Sequence, residues 1–488
     1  MEVKFSKLSL PSRGVAVILI TKENLNSENL AKFTRKSPVK FSADYGQIIP
    51  TSQPDEHDLD LVILVGLGQA SKISENKMRN LGGKITSFFQ QNKLEQASII
   101  IDEIENTIVE TGQIAAEIAY GMNLKNYRFD KYLSEEKKRK SSKITKLDFR
   151  LEQSDQAMKL YDEYSKIAEN VYFARDLISE PANILTTEAY AKICKSLESL
   201  GLKVDVLGEK EMKKLGMHSL LAVGQASITE SQLVILEWRG DADKDKAPLA
   251  FVGKGVVFDT GGISLKPSLN MDAMKADMGG SAAVVGLMRT LATRNAKVNA
   301  IGVIGLVENM PGGNAQRPGD IVTSMSGQTI ECLNTDAEGR MVLADALYYA
   351  KTKYNPELII DLATLTGAIV VTLADVYSGL FSNDDNLSEK LIAAGKATDE
   401  KLWRLPLGKE FDEMINTPNA DMKNIGNGRG AGSITAAQFL QRFIGDTPWA
   451  HLDIAGTSMK DRPTDISAKG ATAFGVRLLN KFVKTNYA

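Results

Sequence analysis
In residues 1–153, apolar positions gather in short runs separated by longer stretches of helical period. The runs 15–20, 61–65 and 98–101 are near-continuous and of strand length, while 77–91 and 108–124 carry apolar residues at helical spacing. This alternation predicts a small N-terminal α/β domain. Gly66-Leu67-Gly68, after the second run, lacks the third glycine of a dinucleotide-binding loop and predicts a plain turn. Residues 135–146 (EEKKRKSSKITK) are polar and basic, which predicts a solvated loop or hairpin tip. Beyond them Leu160, Tyr164, Ile167, Val171, Ala174 and Ile178 recur at helical spacing behind Ser154, a residue able to cap a helix start. The expectation is a connecting helix over 154–179.

From 180 to 488 the same two patterns alternate on a larger scale. Apolar runs at 233–236, 249–252, 300–307, 358–360 and 451–454 are interleaved with helical segments at 281–294, 339–353, 386–396 and 433–444. Runs this continuous fit strands covered on both faces, so the expectation is an α/β/α domain with a mixed, largely parallel sheet. In such sheets, sites form beyond the carboxyl ends of the strands.

Composition narrows the chemistry. The chain has 488 residues, 43% hydrophobic and 25% charged, enough for two or three domains with sizeable cores. A net charge of -2 gives no global field toward nucleic acid or membrane. Two distant cysteines, Cys194 and Cys332, form no disulfide framework and suit a reducing compartment. No run reaches the ~20 apolar residues of a membrane helix. The early run at 15–20 lacks the flanks of a signal peptide. The expectation is a cytoplasmic protein. There are only three histidines, His57, His218 and His451, so a metal site must lean on carboxylates and a Ser–His–Asp triad has few candidates for its middle member.

Two segments concentrate polar residues at predicted strand-to-helix junctions. Residues 253–262 read GKGVVFDTGG, which predicts a glycine-rich turn holding Lys254 and Asp259 after a strand ending near Val252; Lys266, Met274, Asp277 and the Gly279-Gly280 pair follow. Residues 334–340 read NTDAEGR. Taken singly, each acid is an ordinary turn or cap residue, and Lys254, Lys266 and Arg340 are ordinary surface cations. Taken together, Asp259, Asp277, Asp336 and Glu338 would repel one another unless cations balanced them. Two divalent ions ~3.5–4 Å apart are a recurring hydrolytic solution. An oxygen-rich ligand set tolerates Zn²⁺, Mn²⁺ or Mg²⁺. The residues alone thus point to a metal-dependent hydrolase with its site between 254 and 340.

The segment Asn334-Thr335-Asp336-Ala337-Glu338-Gly339-Arg340 resembles the signature of the leucyl aminopeptidases, the cytosol aminopeptidases of the M17 metallopeptidase family. Residues 252–280, 174–177 with 180–183, 363–367 and 451–456 are similar to that family too. The resemblance covers the second domain and is weaker over the first 150 or so residues. It implies a small macro-like N-terminal α/β domain before a catalytic α/β/α domain. It further implies one metal held by Lys254, Asp259, Asp277 and Glu338. A second would be held by Asp259, Asp336, a carbonyl of Asp336, and Glu338. Lys254 would then ligate as a neutral amine, Lys266 would stabilise the oxyanion, and Arg340 would hold a bicarbonate ion as general base. Met274, Thr364, Leu365, Gly367 and Ala455 would line an apolar pocket for the first side chain. Implied with these are peptide substrates with a free N-terminus, a leucine-type preference and a homohexamer. Cys332 and Met341 depart from the aliphatic residues usual beside the signature, and Cys332 reads as a buried hydrophobe. Other readings are a two-metal phosphoesterase, a DNA-binding architectural protein using 135–146, and a catalytically dead scaffold. The seven expected active-site residues are all present, which argues against the last.

Overall fold
The computed structural model describes residues 1–25, 40–51, 58–139, 143–428 and 430–487. Two compact units emerge, residues 1–169 with 462–469, and residues 170–461 with 470–488.

The first unit is built on strands β1 (Glu2–Ser6), β2 (Arg13–Thr21), β3 (Ile48–Thr51), β4 (Asp58–Gly68), β5 (Gln96–Ile101) and β6 (Lys146–Arg150), in the spatial order β1-β6-β5-β2-β4-β3. Only β3 runs against its neighbour. Helices α1 (Glu75–Gln91) and α2 (Thr111–Lys125) contribute Leu81, Ile85, Ile114 and Ile118 to the core beside the sheet residues Val17, Ile63 and Ile99. Two expectations need correction. Gly66 and Gly68 form no turn, because β4 runs on beside β2 through Gly68, with a register shift at Leu67 that leaves Ile20 opposite Gly66 and Thr21 opposite Gly68. The stretch at 135–146 is no simple loop, since Glu135–Arg139 is a short helix and β6 starts at Lys146; residues 140–142 lie outside the described residues, as does His57. Residues 462–469 also fold into this unit, where the Lys125 ammonium donates to the carbonyl of Ser467 at 2.8 Å.

The helix α3 (Ser154–Ser179) contains the boundary between the units. The second unit's strands are β7 (Lys203–Leu207), β8 (Gln232–Arg239), β9 (Leu249–Asp259), β10 (Asn299–Asn309), β11 (Ile321–Thr323), β12 (Thr329–Glu331), β13 (Leu358–Ala363), β14 (Ser378–Ser382), β15 (Leu402–Arg404), β16 (Met422–Lys423), β17 (Trp449–Asp453) and a two-stranded pair, β18 (Met459–Lys460) with β19 (Gly470–Ala471). Eight of them form one sheet, ordered β15-β14-β17-β13-β9-β10-β8-β7, while β11-β12-β16 form a small separate one. The central four, β17, β13, β9 and β10, are mutually parallel. Their carboxyl ends therefore share one edge, at Asp453, Ala363, Asp259 and Asn309.

Helices α4 (Gly279–Thr293) and α5 (Glu338–Tyr354) set what reaches that edge. Neighbouring residues of β9 point to opposite faces. Gly253 meets α4 and Lys254 meets α5. The start of α4 lies directly on the sheet backbone. A Cβ on Gly280 would stand 2.0 Å from the carbonyl oxygen of Leu362, and one on Gly253 would stand 2.6 Å from Ser281 Cα. This close approach seats Asp277, two residues before α4, against the strand ends.

Gly280→Ala is expected to cost about 3 kcal/mol, because a backbone carbonyl has little room to yield. Gly313→Ala, where a Cβ would meet nothing within 4 Å, is the control. Urea denaturation checks this, and an unchanged midpoint for Gly280→Ala would refute the packing argument.

Candidate active site
The expected glycine-rich turn after Val252 is not formed: β9 runs on to Asp259, so Lys254 sits in mid-strand, where it is buried. Its Nζ reaches Asp277 Oδ1 at 2.8 Å, Glu338 Oε1 at 2.7 Å and the Thr364 carbonyl at 2.9 Å. Burial alone would pull the ammonium's pKa down, but the charges of Asp277, Glu338 and Asp259 outweigh it and raise the value. The path of this side chain depends on Gly339, where a Cβ would stand 2.6 Å from Lys254 Cε.

Asp259 ends β9. Its Oδ1 accepts from the Gly261 amide and from Asn309 Nδ2, both at 2.8 Å, and its Oδ2 pairs with Lys266 Nζ at 2.7 Å. The left-handed backbone at Gly261 and Gly262 turns the chain so that Lys266 comes back over the same site. There Lys266 bridges Asp259 and Asp336. Asp277 closes the short helical segment Met271–Ala276, and its Oδ1 also accepts from Thr364 Oγ1 at 2.7 Å. Its Oδ2 is buried without a hydrogen-bond partner among the described residues.

The signature loop is fixed from the same edge. Thr335 Oγ1 donates to the Gly261 carbonyl at 2.6 Å, and Asn309 Nδ2 donates to the Thr335 carbonyl at 3.0 Å. This brings one carboxylate oxygen each from Asp259, Asp336 and Glu338 within 4.8 Å of one another. Burial raises the pKa of Asp259, Asp277 and Asp336, and the neighbouring carboxylates push the same way. The site thus holds more acid than its two lysines neutralise. A cluster of carboxylates with one buried oxygen left unpartnered, beside an amine, is a donor set that fits divalent cations.

Arg340, buried one turn into α5, donates from an Nη to the Asn424 carbonyl at 2.7 Å while its Nε lacks a partner. Burial lowers its pKa to about 10. Of the expected pocket residues, Thr364 and Leu365 follow β13, Gly367 opens helix α6 (Gly367–Leu373), and Ala455 follows β17. Met274 lies in the segment leading to Asp277. A Cβ on Gly367 would meet nothing within 4 Å, so open space adjoins it.

Sequence reasoning missed three residues that assemble the site. Asn309 joins Asp259 to the signature loop, and Thr335 ties that loop to Gly261. Asp453 accepts from Thr366 Oγ1 at 2.7 Å and from the amides of Leu365 and Ala455 at 3.1 and 3.3 Å. The available signal was position, since Asn309 and Asp453 both end strands of the parallel group. His451 is not part of the carboxylate cluster. It is buried, its Nδ1 lies 2.6 Å from Asp361, and that carboxylate also accepts from Trp449 Nε1 at 2.7 Å.

Comparison with known proteins gives a consistent answer. Residues 172–480 match the model of the cytosol aminopeptidase family, catalytic domain, and residues 36–136 match that of the family's N-terminal domain. A protein of Brucella ovis named "Probable cytosol aminopeptidase" is 49% identical over 499 residues, covering 99% of this chain and 98% of its own. A Sinorhizobium fredii protein of the same name is 48% identical over 496 residues, covering 100% and 99%. Among solved structures, the bottromycin maturation enzyme BotP in complex with Mn superposes with a TM-score of 0.85 at 32% identity, covering 96% of this chain and 99% of that one.

Gly339→Ala is expected to push Lys254 off Asp277 and Glu338 and to weaken divalent-ion binding on the order of tenfold or more. Isothermal titration with Mn²⁺ on folded protein checks this; unaltered affinity would show that the Lys254 path is unimportant.

Proposed function
The chain belongs to the cytosol aminopeptidase family and so is a metal-dependent aminopeptidase, a hydrolase of peptides; from that premise we propose that it acts by two-metal activation of water at the 254–340 site, preferring leucine and other apolar first residues. The observation that carries this reading is the surplus of carboxylate over lysine at the strand ends, with Asp277 Oδ2 buried and unpartnered.

In this reading Lys254, Asp259, Asp277 and Glu338 hold one ion, and Asp259, Asp336 and Glu338 hold the other. Mn²⁺ and Zn²⁺ suit the set, and Mg²⁺ is tolerated. The bound pair would lower the pKa of a water and polarise the scissile carbonyl. Asp259, Asp277, Asp336 and Glu338 would supply the negative charge that holds the ions. Lys266, which lies against Asp259 and Asp336, would present its ammonium to the substrate oxygen and stabilise the charge that develops there. Arg340 is a buried guanidinium with no carboxylate paired to it among the described residues, so an anion such as bicarbonate gains from it. That anion is the proposed general base. The side chain of the first substrate residue lies among Met274, Thr364, Leu365, Gly367 and Ala455. An apolar pocket discriminates by only about 1–3 kcal/mol per methylene, so several apolar residues are accepted. A free substrate amine is required, the working form is a homohexamer, and the compartment is the cytoplasm. No helix among the described residues is long and apolar enough to cross a membrane.

The test is hydrolysis of leucine p-nitroanilide by metal-stripped protein, with Mn²⁺ or Zn²⁺ added back. Activity is expected to return with metal, to fall about 10³-fold or more in Asp336→Ala, and to vanish on the N-acetylated substrate. Folded, assembled protein that cleaves nothing under any metal would sink the reading. Cleavage of phosphate esters without need of an amine would replace it.

A further inference from the structure
We infer that Asn424 is a positioning residue of the active site, holding the metal-binding signature loop and Arg340 in one geometry; the inference rests on the reading of the 254–340 site given above. Asn424 follows β16, more than eighty residues beyond the signature, and is fully buried. Its amide oxygen accepts from the amides of Leu333 at 2.8 Å and Asn334 at 3.3 Å. Its amide nitrogen donates to the Asn334 carbonyl at 2.6 Å and approaches the Ala337 carbonyl at 3.5 Å. The backbone of the same residue donates to the Glu331 carbonyl at 3.0 Å and accepts from Arg340 at 2.7 Å.

One residue therefore grips the chain on both sides of Asp336 and also seats the guanidinium. Two donors meet the side-chain oxygen, and two carbonyls and the Cys332 Sγ, at 3.6 Å, meet the nitrogen, so the amide has one orientation; a flip would set like against like at the four backbone partners. This pattern needs a donor and an acceptor a single amide apart. Aspartate has the shape but not the donor. One of its oxygens would face the Asn334 carbonyl where the amide now donates, and the loop would have to move or the acid to stay protonated. Such a shift displaces Asp336 and Glu338 together with Arg340, without removing any of them.

The molecule supplies a matched control. Asn299, buried in the same unit, clamps another loop in the same way. Its nitrogen donates to the carbonyls of Asp243 at 2.8 Å and Lys246 at 3.1 Å, and its oxygen accepts from the Asp241 amide at 3.3 Å. Asn299→Asp makes the same chemical change away from the carboxylate cluster.

Wild type, Asn424→Asp and Asn299→Asp are compared by thermal midpoint, by Mn²⁺ dissociation constant in competition with a chromogenic chelator, and by kcat and KM on leucine p-nitroanilide. Both variants are expected to melt earlier. Only Asn424→Asp is expected to weaken Mn²⁺ binding about 10–100-fold and to lower kcat by a similar factor, with KM moved about threefold or less. Asn424→Asp with wild-type affinity and kcat overturns the inference, as does an equal loss in Asn299→Asp. If Asn424→Asp does not fold, Asn424→Ser is read the same way. Failure of both to fold beside a folded Asn299→Asp reduces Asn424 to a structural residue. Wild-type protein that binds Mn²⁺ yet cleaves no peptide bond refutes the aminopeptidase mechanism, while the Mn²⁺ comparison still decides the role of Asn424. Wild-type protein that binds no divalent ion overturns both.

Discussion
Four carboxylates are held together in a place that burial has largely removed from water, and that concentration of negative charge governs the rest of the second unit. Carboxylates so placed repel, and burial penalises each as an anion. The chain answers with two ammonium groups, Lys254 beneath the cluster and Lys266 above it. Two positive charges do not balance four negative ones, and burial first, with the neighbouring carboxylates adding to it, raises the pKa of Asp259, Asp277 and Asp336. A site of this kind is poised to take up cations, which is also what the family of metal-dependent aminopeptidases requires of it.

The fold is the means of holding that charge in place. Parallel strands bring their carboxyl ends to one edge, so residues far apart in sequence arrive together without long loops. Asp259 and Asn309 end adjacent strands, which explains how a side-chain hydrogen bond spans 50 positions. Close packing does the rest. α4 rests on bare backbone at Gly253 and Gly280, and Lys254 passes over Gly339 into the cluster. The same glycines that allow these approaches leave no room for a larger side chain, so the charge cluster and the steric fit at its base are one design.

Much of this was legible in the chain. Near-continuous apolar runs located β2, β4, β5, β8, β9, β10, β13 and β17, because strands buried on both faces need no polar alternation. Short or half-exposed strands such as β1 and β6 carry too few apolar residues to stand out. The acids and bases at 254–277 and 336–340 were visible because glycines and charges crowd together there. The parts played by Asn309, Thr335, Asn424 and Asp453 were not, for a physical reason: an Asn or Asp at the end of a strand is ordinary turn chemistry, and a Thr in a polar loop is equally unremarkable. What distinguishes these four is the partner each meets, and those partners are supplied by tertiary folding over separations of 26 to 91 positions.

The use of a lysine among the proposed ligands follows from the same constraint. With only three histidines in the chain, and His451 committed to Asp361, an imidazole is not at hand for the cluster. A lysine brings something an imidazole lacks. Its ammonium is favoured by the surrounding acids, so it supplies one of the cations that offset their mutual repulsion. To ligate, it must release a proton, and the charge of the arriving ion is what drives that release. On the proposed reading, metal uptake at Lys254 would be an exchange of one cation for another, with the acids compensated both before and after. Lys266, paired with Asp259 and Asp336, would be exchanged in a different sense, becoming available to the substrate. The two lysines that make the metal-free arrangement tolerable are, on the proposed mechanism, the same two that are put to work when the metals replace them.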